Sequence, residues 1–304
     1  MAIIEVDGLT KRYGGHIALD GVSFSVEEGE IFGILGPNGA GKTTAVECLE
    51  GLRRPDGGTA RVLGLDPRAD GRRLHELIGV QLQQTGLPGS IKVREALELY
   101  ASFYSSPRDP AELLAEWNLE DKRNARVRRL SGGQAQRLYI ALALVGAPRV
   151  AFLDELTTGL DPQARRATWE LIRRIRENGV TVVLISHFMD EAEELCDRLA
   201  VLDGGRIVAT GTPGRLIEEA TGGGGRMRFR PVDELDLALL AGLPGVTDVR
   251  RSGAHVTVTG HGDFATAVTS ALARNHIVVA ELRIDQRTLD DAYLALTGGP
   301  SARD

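Results

Sequence analysis

Cysteine is scarce in this sequence, which has only Cys48 and Cys196 among its 304 residues. The two lie far apart, and neither has a second cysteine at the spacing of a metal site. A disulfide framework is therefore excluded as the basis of the fold. Both residues are expected to be small, buried, apolar side chains.

Long apolar runs are missing too, although 42% of the residues are hydrophobic. No stretch approaches the roughly 18 apolar residues that span a bilayer, and the longest, such as 180–185, have the length of a strand. The first residues, MAIIEVDGL, lack the basic start and the apolar stretch of a secretory signal. Any pathway across a membrane is therefore expected to come from another chain.

The chain has no excess of positive charge. Its 36 basic residues are outnumbered by 42 acidic ones, which gives a net charge of −6, and all but four of the basic residues are arginine. Proteins that bind nucleic acid usually present a basic surface, so no nucleic-acid partner is expected.

Strand and helix patterns alternate along much of the chain. An apolar run at 30–35 leads into a glycine-rich turn and a helical stretch at 42–52, and further strands are predicted at 150–153 and 180–186. Because these later strands each follow a helical segment, the pattern predicts an α/β fold with a parallel sheet. The Asp-Gly-Gly sequence at 203–205 predicts a hairpin.

Three segments differ from this pattern. Residues from about 84 to 128 are polar and mostly helical, residues 221–225 (TGGGG) have the composition of a linker, and later residues alternate short strands with helices. We therefore expect a first domain at 1–220 with a helical subdomain at about 84–128. A glycine-rich linker at 221–225 and a small C-terminal α/β domain at 226–304 are expected to follow.

The stretch GPNGAGKTT at 36–44 has the phosphate-loop pattern G-x-x-x-x-G-K-[ST]. Its glycines let backbone N–H groups point at phosphate oxygens, and the following helix adds the positive end of its dipole. Lys42 is predicted to reach the β- and γ-phosphates of a nucleotide, and the Thr43 hydroxyl to bind Mg²⁺. The predicted nucleotide-binding residues of this loop are Gly36, Asn38, Gly39, Ala40, Gly41, Lys42, Thr43 and Thr44.

Two acids, Asp154 and Glu155, end the apolar stretch VAFLDE at 150–155. The carboxyl end of this buried strand is expected on the side where the phosphate loop opens. Asp154 is predicted to hold Mg²⁺. Glu155 is placed to polarise the attacking water as a general base.

A third stretch, LSGGQAQR at 130–137, is ambiguous by itself. Ser131 is a good N-cap and the two glycines after it allow close backbone approach, but many helices begin in this way. From its residues alone, the role of this stretch stays undecided.

Together the three motifs resemble those of ATP-binding cassette (ABC) proteins, over roughly residues 3–220. The resemblance implies a P-loop NTPase (RecA-like) core with an antiparallel β subdomain and a helical subdomain. It also implies ATP and Mg²⁺ as cofactors and a head-to-tail dimer that holds two ATP molecules between the chains. In that dimer Ser131, Gly133 and Gln134 would contact the γ-phosphate of the ATP in the partner's phosphate loop, and the loop at 158–161, which ends at Asp161, would contact the opposite subunit.

The same resemblance assigns roles to further residues. Tyr13, in KRYGG, is similar to the aromatic residue that stacks on adenine, and His187 is similar to the switch histidine that contacts the γ-phosphate. Gln83 is similar to the glutamine that contacts Mg²⁺ and links the ATP site to a membrane partner, with Gln81 and Gln84 as alternatives. The implied catalytic residues are Glu155, His187 and Gln83, and the implied metal ligands are Thr43, Gln83 and Asp154.

One position departs from the family pattern. Most members have proline between the catalytic glutamate and Thr-Thr-Gly, where this chain has Leu156. Leucine does not fix φ, and it keeps a backbone N–H group. Because the reacting groups are intact, hydrolysis is expected to survive, and any difference is expected in turnover or in the kinetics of dimer closure.

The favoured interpretation is the ATP-hydrolysing motor of an ABC export system, a homodimer or paired cassette bound peripherally at the cytoplasmic face of the cell membrane. A separately encoded integral membrane permease would dock on the helical segment near 84–128. Export is indicated by the ending TLDDAYLALTG at 288–298. It resembles the C-terminal extension of drug-resistance and ABC-2 exporter ATPases, where the extension is linked to dimer contacts or regulation. Efflux of a drug or antibiotic, or of a lipid or glycan, fits this group.

Two alternatives remain from the sequence. A soluble ABC ATPase that acts on nucleic acid or ribosomes usually has two cassettes, a coiled coil or a zinc insertion, and this chain shows none of these patterns. A nucleotide sensor with little turnover is disfavoured by the intact Glu155 and His187. A basic cluster before the LSGGQ stretch forms either a solvated helical face or a contact for the permease or anionic lipid; its members are Arg123, Arg126, Arg128 and Arg129.

Overall fold

The computed structural model describes residues 1–81, 86–222 and 224–297. Contacts between residues divide the chain into two compact units, Met1–Pro213 and the residues from Gly214 onward. None of the helices in the described ranges is long and apolar enough to cross a membrane.

The strands of the first unit form two sheets. In chain order they are β1 (Ala2–Tyr13), β2 (His16–Glu27), β3 (Ile31–Leu35), β4 (Gly57–Val62), β5 (Ile78–Gln81), β6 (Val150–Asp154), β7 (Thr181–Ser186), β8 (Arg198–Asp203) and β9 (Arg206–Gly211). One sheet is antiparallel with the order β2-β1-β4, and the other has the order β5-β6-β7-β3-β8-β9. Strands β5, β6, β7, β3 and β8 are parallel to one another, which confirms the predicted parallel sheet.

The predicted hairpin at 203–205 is confirmed as the connection between β8 and β9. Asp203 pairs with Arg206 across the turn. Gly204 and Gly205 have φ of 53° and 79°, the pair of positive values that a two-residue type I′ turn requires.

The helices of the first unit follow or connect these strands. They are α1 (Lys42–Leu49), α2 (Gly71–His75), α3 (Val93–Ala101), α4 (Pro110–Glu116), α5 (Gly132–Leu144), α6 (Pro162–Glu177) and α7 (Met189–Leu195). The next helix, α8 (Pro213–Thr221), belongs to the second unit except for its first residue. Helices α3 and α4 lie in the predicted helical subdomain, together with short 3₁₀ turns at Glu120–Lys122 and Val127–Arg129. An α/β core with an antiparallel sheet and a helical segment is therefore confirmed.

Apolar side chains from both sheets and from α1 share one core. Phe24 of β2 stacks on Phe32 of β3 with the ring centroids 5.4 Å apart, and Ile4, Val46 and Phe152 belong to the same buried cluster. Strand β3 is buried at every position, as expected for a central parallel strand that is covered on both faces. This packing fixes the carboxyl end of β3, where the phosphate loop begins.

After α8, the second unit has the element order β10 (Gly224–Pro231), α9 (Ala238–Ala241), β11 (Val246–Ser252), β12 (His255–His261), α10 (Phe264–Arg274), β13 (Val279–Gln286) and α11 (Leu289–Thr297). Its sheet is antiparallel with the order β11-β12-β10-β13. A β-α-β-β-α-β order with this strand arrangement is the split βαβ, or ferredoxin-like, topology. Its core contains Met227, Phe229, Val256, Val258 and Phe264.

The glycine-rich segment at 221–225 differs from the predicted linker. Thr221 is the last residue of α8, and Gly224 and Gly225 already belong to β10, where they pair with His261 and Gly260. A Cβ atom at Gly225 would lie 3.0 Å from the ring of Phe264. Close packing on Phe264, and not chain flexibility, therefore accounts for glycine at this position.

Candidate functional site

Three neighbouring parallel strands bring the predicted site residues to one edge of the sheet. In the register, Leu35 of β3 pairs with Ser186 of β7, and Asp154 of β6 pairs with Ile185 of β7. The carboxyl ends of β3, β7 and β6 are therefore adjacent. They lead into the phosphate loop, His187 and Glu155, respectively. Ligands of open α/β sheets bind at this edge.

The phosphate loop is a tight turn between β3 and α1. Gly36 and Gly41 have φ of 151° and 104°, and a Cβ atom on either would come within 2.3 Å of a backbone oxygen, of Leu202 and Ala18 respectively. Only glycine fits at these two positions. Ala40 is buried, Asn38, Gly39 and Thr43 are exposed, and Thr44 is half-buried. Among the predicted nucleotide-binding residues, Asn38, Gly39 and Thr43 are therefore open to solvent, while Gly36, Ala40 and Lys42 are buried.

Lys42 is the first residue of α1, and its ammonium group lies inside the loop. The side chain is buried, and Nζ donates hydrogen bonds to the carbonyl oxygens of Gly36 (2.7 Å) and Pro37 (3.0 Å). Burial lowers the pKa of Lys42, while the nearby Glu155 and Asp154 oppose that change. The ammonium group is thus held at the loop by two backbone carbonyl oxygens.

Asp154 and Thr43 supply the kinds of oxygen donor that Mg²⁺ prefers. Burial, followed by the charge of Glu155, raises the pKa of Asp154 to about 6, and Lys42 opposes this rise. The carboxyl group is therefore mostly ionised at neutral pH, and its negative charge is repelled by that of Glu155. A bound divalent cation would offset this repulsion. The donor set fits the predicted Mg²⁺ site.

Glu155 and His187 form a pair. Glu155 Oε1 lies 3.0 Å from Nδ1 of His187, and the side chains are 10% and 30% exposed. Glu155 also has φ of 48°, an unusual value for a residue with a side chain. A carboxylate oriented by a histidine at the end of β7 is suited to orient or deprotonate a water molecule.

Sequence reasoning missed Glu191, which supports the turn that carries His187. Its carboxylate is fully buried in α7 and accepts hydrogen bonds from Ser186 Oγ (2.6 Å) and Trp169 Nε1 (3.2 Å). Ser186 Oγ in turn accepts a hydrogen bond from the backbone N–H of Phe188 (3.0 Å). The burial raises the pKa of Glu191, and these side-chain hydrogen bonds oppose the rise. Nothing in the local sequence distinguishes Glu191 from the acids around it.

A second contact joins α6 to the same turn. Arg165 donates a hydrogen bond to Asp190 Oδ2 (2.8 Å), and its guanidinium carbon lies 4.9 Å from the ring centroid of Phe188. Helix α6 is therefore attached to the His187 turn through two side chains, Trp169 and Arg165.

The starts of α5 and α6 carry the residues predicted to contact a second subunit. Ser131 caps α5 in a capping box with Gln134, since Ser131 N donates to Gln134 Oε1 (3.1 Å) and Gln134 N to Ser131 Oγ (3.4 Å). Asp161 caps α6 and accepts hydrogen bonds from the next helical N–H groups. A Cβ atom on Gly133 would lie 3.9 Å from Ala164, so the two helix starts are neighbours.

Two further residues predicted for the site are Tyr13 and Gln83. Tyr13 ends β1 with 39% of its surface exposed, which leaves the ring available to stack on a base. Gln83 and its alternative Gln84 lie outside the described residues. The other alternative, Gln81, is the last residue of β5 and pairs with Leu153, next to Asp154.

Glu50 is a buried acid behind this site that the sequence did not reveal. It follows the last residue of α1 and is 2% exposed. Burial, with smaller contributions from Asp154 and Glu47, raises its pKa to about 8. At neutral pH the carboxyl group is therefore mostly protonated.

Glu50 should make stability depend on pH. Its folded pKa of about 8 exceeds the ordinary 4.5, so the folded protein holds a proton that the unfolded chain releases between these values. Stability should fall as pH rises through this window. Glu50→Gln should remove the contribution of this group, which makes the slope shallower and increases the free energy of unfolding at pH 8 by roughly 2–4 kcal/mol, measured by urea unfolding at pH 5, 6.5 and 8. The exposed Glu112→Gln is the control, and an unchanged slope in Glu50→Gln would refute the assignment.

Fold and site together define an ATP-hydrolysing cassette. The ABC transporter family model matches residues 19–158. The daunorubicin/doxorubicin resistance ATP-binding protein DrrA of Streptomyces peucetius is 38% identical over 98% of this chain and 93% of its own length. The Nod factor export ATP-binding protein I of Ralstonia nicotianae is 44% identical over 72% of this chain and 70% of its own length.

Solved structures agree with these relatives. A dimeric ATP-binding cassette in a post-hydrolysis state, bound to ADP and Pi, has a TM-score of 0.60 and 27% identity, covering 69% of this chain and 98% of that one. The chain belongs to the family of ATP-binding proteins of ABC transporters, and it is an ATP hydrolase.

Leu156 permits a test of the departure from the family pattern. Its side chain is 1% exposed, directly after the positive φ of Glu155. A proline at 156 would disfavour the helical conformations of Glu155, but no reacting group would be lost. We expect the unmodified protein to hydrolyse ATP and Leu156→Pro to change the rate by less than about tenfold, or ~1.4 kcal/mol. Phosphate release with and without Mg²⁺ measures both, and an inactive unmodified protein would contradict the expectation.

Proposed function

We propose that this ATPase powers export through a membrane permease encoded as a separate chain. The observation that carries the proposal is the similarity to a drug-resistance ATP-binding protein along both units, over 98% of this chain. The similarity to Nod factor export proteins covers 72% of it. Drugs or antibiotics, and lipids or glycans, are the proposed classes of exported molecule.

In this proposal each residue at the sheet edge has one task. Lys42 and the backbone of 36–44 hold the triphosphate, and the N-terminal end of α1 favours its charge. Thr43 and Asp154 hold Mg²⁺, which when bound neutralises charge on the phosphates. Glu155 takes a proton from the attacking water, and His187 orients Glu155 across their 3.0 Å contact. Gln83 is proposed to link this site to the permease.

The working form is proposed to be a head-to-tail homodimer. Ser131, Gly133 and Gln134 of one protomer would meet the nucleotide held by the other, and the exposed Asp161 would lie at the same interface. The neighbouring starts of α5 and α6 support this, since both present exposed backbone ends on one surface. Tyr13 would stack on the adenine of its own protomer's ATP.

The permease is proposed to dock on the helical subdomain, which would place the protein at the cytoplasmic face of the cell membrane. An open cleft of about 540 Å³ lies between α3, α4 and the turn at Glu120–Lys122, and its wall carries both cations and acids: Arg94, Arg123, Glu98, Asp109 and Glu120. Arg123 also belongs to the basic cluster, whose members are all exposed: Arg123, Arg126, Arg128 and Arg129. A concave surface with exposed charges of both signs suits a polar segment of a membrane protein.

Capture from native membranes tests the proposal. Tagged Glu155→Gln protein, held in its ATP-bound state by ATP and Mg²⁺, should recover a multi-span membrane protein. The matched control is the double variant Lys42→Ala, Glu155→Gln, which should lose ATP and release that partner. Recovery of ribosomes or nucleic acid with no membrane chain would overturn the export proposal.

A further inference from the structure

The turn that leads from α1 to β4 makes contacts with both α1 and the end of β1. Within it, the backbone N–H of Arg53 donates to the carbonyl oxygen of Glu47 (3.0 Å), and its Nε donates to the Glu47 carboxylate. The guanidinium carbon of Arg53 lies 5.2 Å from the centroid of the Tyr13 ring. One arginine therefore bridges the phosphate-loop helix and the exposed aromatic ring.

The same turn also holds the backbone that carries Tyr13. Asp56 accepts hydrogen bonds from Lys11 Nζ (3.0 Å) and from the backbone N–H of Arg12 (2.7 Å), while its own N–H donates to Thr10 (2.8 Å). The hydrogen bond from Arg12, then that from Lys11, lowers the pKa of Asp56. Lys11 Nζ is itself 5.5 Å from the Tyr13 centroid. The two cations beside the Tyr13 ring are thus each paired with an acid, Arg53 with Glu47 and Lys11 with Asp56.

The turn has little freedom to move away from β1. Gly58 has φ of 77°, and a Cβ atom there would lie 2.3 Å from the carbonyl oxygen of Gly8. Backbone is packed directly on backbone at this point, so the turn and the strand should move as one body.

We propose that residues 53–56, here called the bracket, position the Tyr13 ring relative to the phosphate loop, and that Arg53 is a determinant of affinity for the purine. The inference rests on the proposed function, in which Tyr13 stacks on adenine. Glu47 belongs to the same helix as Lys42 and Thr43, so the bracket fixes the ring to the element that holds the triphosphate. An exposed tyrosine would otherwise sample several rotamers, and the ordering cost would weaken base binding.

A role in stability alone is a weaker explanation of these contacts. The Arg53–Glu47 pair is exposed by 38% and 25%, and exposed ion pairs contribute little to folding. A cation over an aromatic face orients the ring, so its loss should affect what the ring binds.

The test compares ATP with inorganic tripolyphosphate as ligands of the full-length protein. Arg53→Gln should raise the Kd for ATP about three- to fivefold, as expected for an exposed cation–π contact, and leave the Kd for tripolyphosphate within twofold. Arg53→Lys should recover part of the ATP affinity. An arginine outside the bracket gives the control: Arg72 is exposed on α2, and Arg72→Gln should change neither constant.

A double-mutant cycle with Tyr13→Ala separates the possible failures. We expect Arg53→Gln to have no further effect on ATP binding once the ring is removed. Equal weakening of tripolyphosphate would assign Arg53 to the phosphate loop and overturn the inference. Unchanged ATP affinity in Arg53→Gln, with weakened binding in Tyr13→Ala, would overturn the bracket but keep the stacking role. Unchanged affinity in Tyr13→Ala would overturn both.

Discussion

Glu155→Gln should bind ATP as the unmodified protein does and hydrolyse it about 10²–10⁴ times more slowly, the usual contribution of a general base. Glutamine has nearly the same shape and can still contact His187 Nδ1, 3.0 Å from the present carboxylate. It cannot take a proton from water. Equilibrium ATP binding and single-turnover phosphate release measure the two effects separately.

The same variant should accumulate as an ATP-dependent dimer, visible by size-exclusion chromatography coupled to light scattering. Glu177→Gln is a suitable control, because Glu177 is exposed at the end of α6 and should not alter turnover. A Glu155→Gln protein that hydrolyses ATP at the normal rate would remove Glu155 from the reaction. A protein that binds ATP but stays monomeric would contradict the head-to-tail dimer.

Lys42→Ala should raise the Kd for ATP about a hundredfold, since a charge-assisted hydrogen bond to phosphate contributes up to about 3 kcal/mol. Lys42 is 6% exposed and has its ammonium group inside the loop, within 3.0 Å of the Gly36 and Pro37 carbonyl oxygens. Alanine leaves the loop without its cation, opposite the charges of Asp154 and Glu155. Isothermal titration with ATP measures the change.

Lys92→Ala is the matched control for Lys42→Ala. Lys92 lies just before α3, is 44% exposed and pairs with Glu95, so its removal should leave the Kd unchanged. Undiminished ATP affinity in Lys42→Ala, with the fold intact by circular dichroism, would show that Lys42 does not bind the phosphates.

The parts of the site that the sequence predicted are those carried by short contiguous motifs. The phosphate loop and the Asp154–Glu155 pair each combine a strand end with a reactive side chain, and the parallel sheet places strand ends together without further information. The hairpin at 203–205 was predictable because two residues with positive φ determine it. The roles of these side chains, and of Gln83, remain predictions.

Other features depend on contacts between distant residues and could not be predicted. Glu191 is buried because Ser186 and Trp169 surround it from two other elements. Arg53 meets Tyr13 although 40 residues separate them in the chain. The strand order of the second unit likewise depends on long-range pairing. The prediction of a linker at 221–225 was wrong at Gly225 because this glycine pairs in β10 and packs against the ring of Phe264, 39 residues further along the chain.

Both native thiols are withdrawn from solvent. Cys48 is 2% exposed, with its pKa raised by burial to about 11, and Cys196 is 7% exposed, with its pKa also raised by burial. The thiolate is the form that reacts with maleimides, so the unaltered chain should take up little of a fluorescent or spin label. A single cysteine introduced at an exposed position would then be labelled selectively. Distances between two protomers could therefore be followed through the ATP cycle without first deleting a native cysteine.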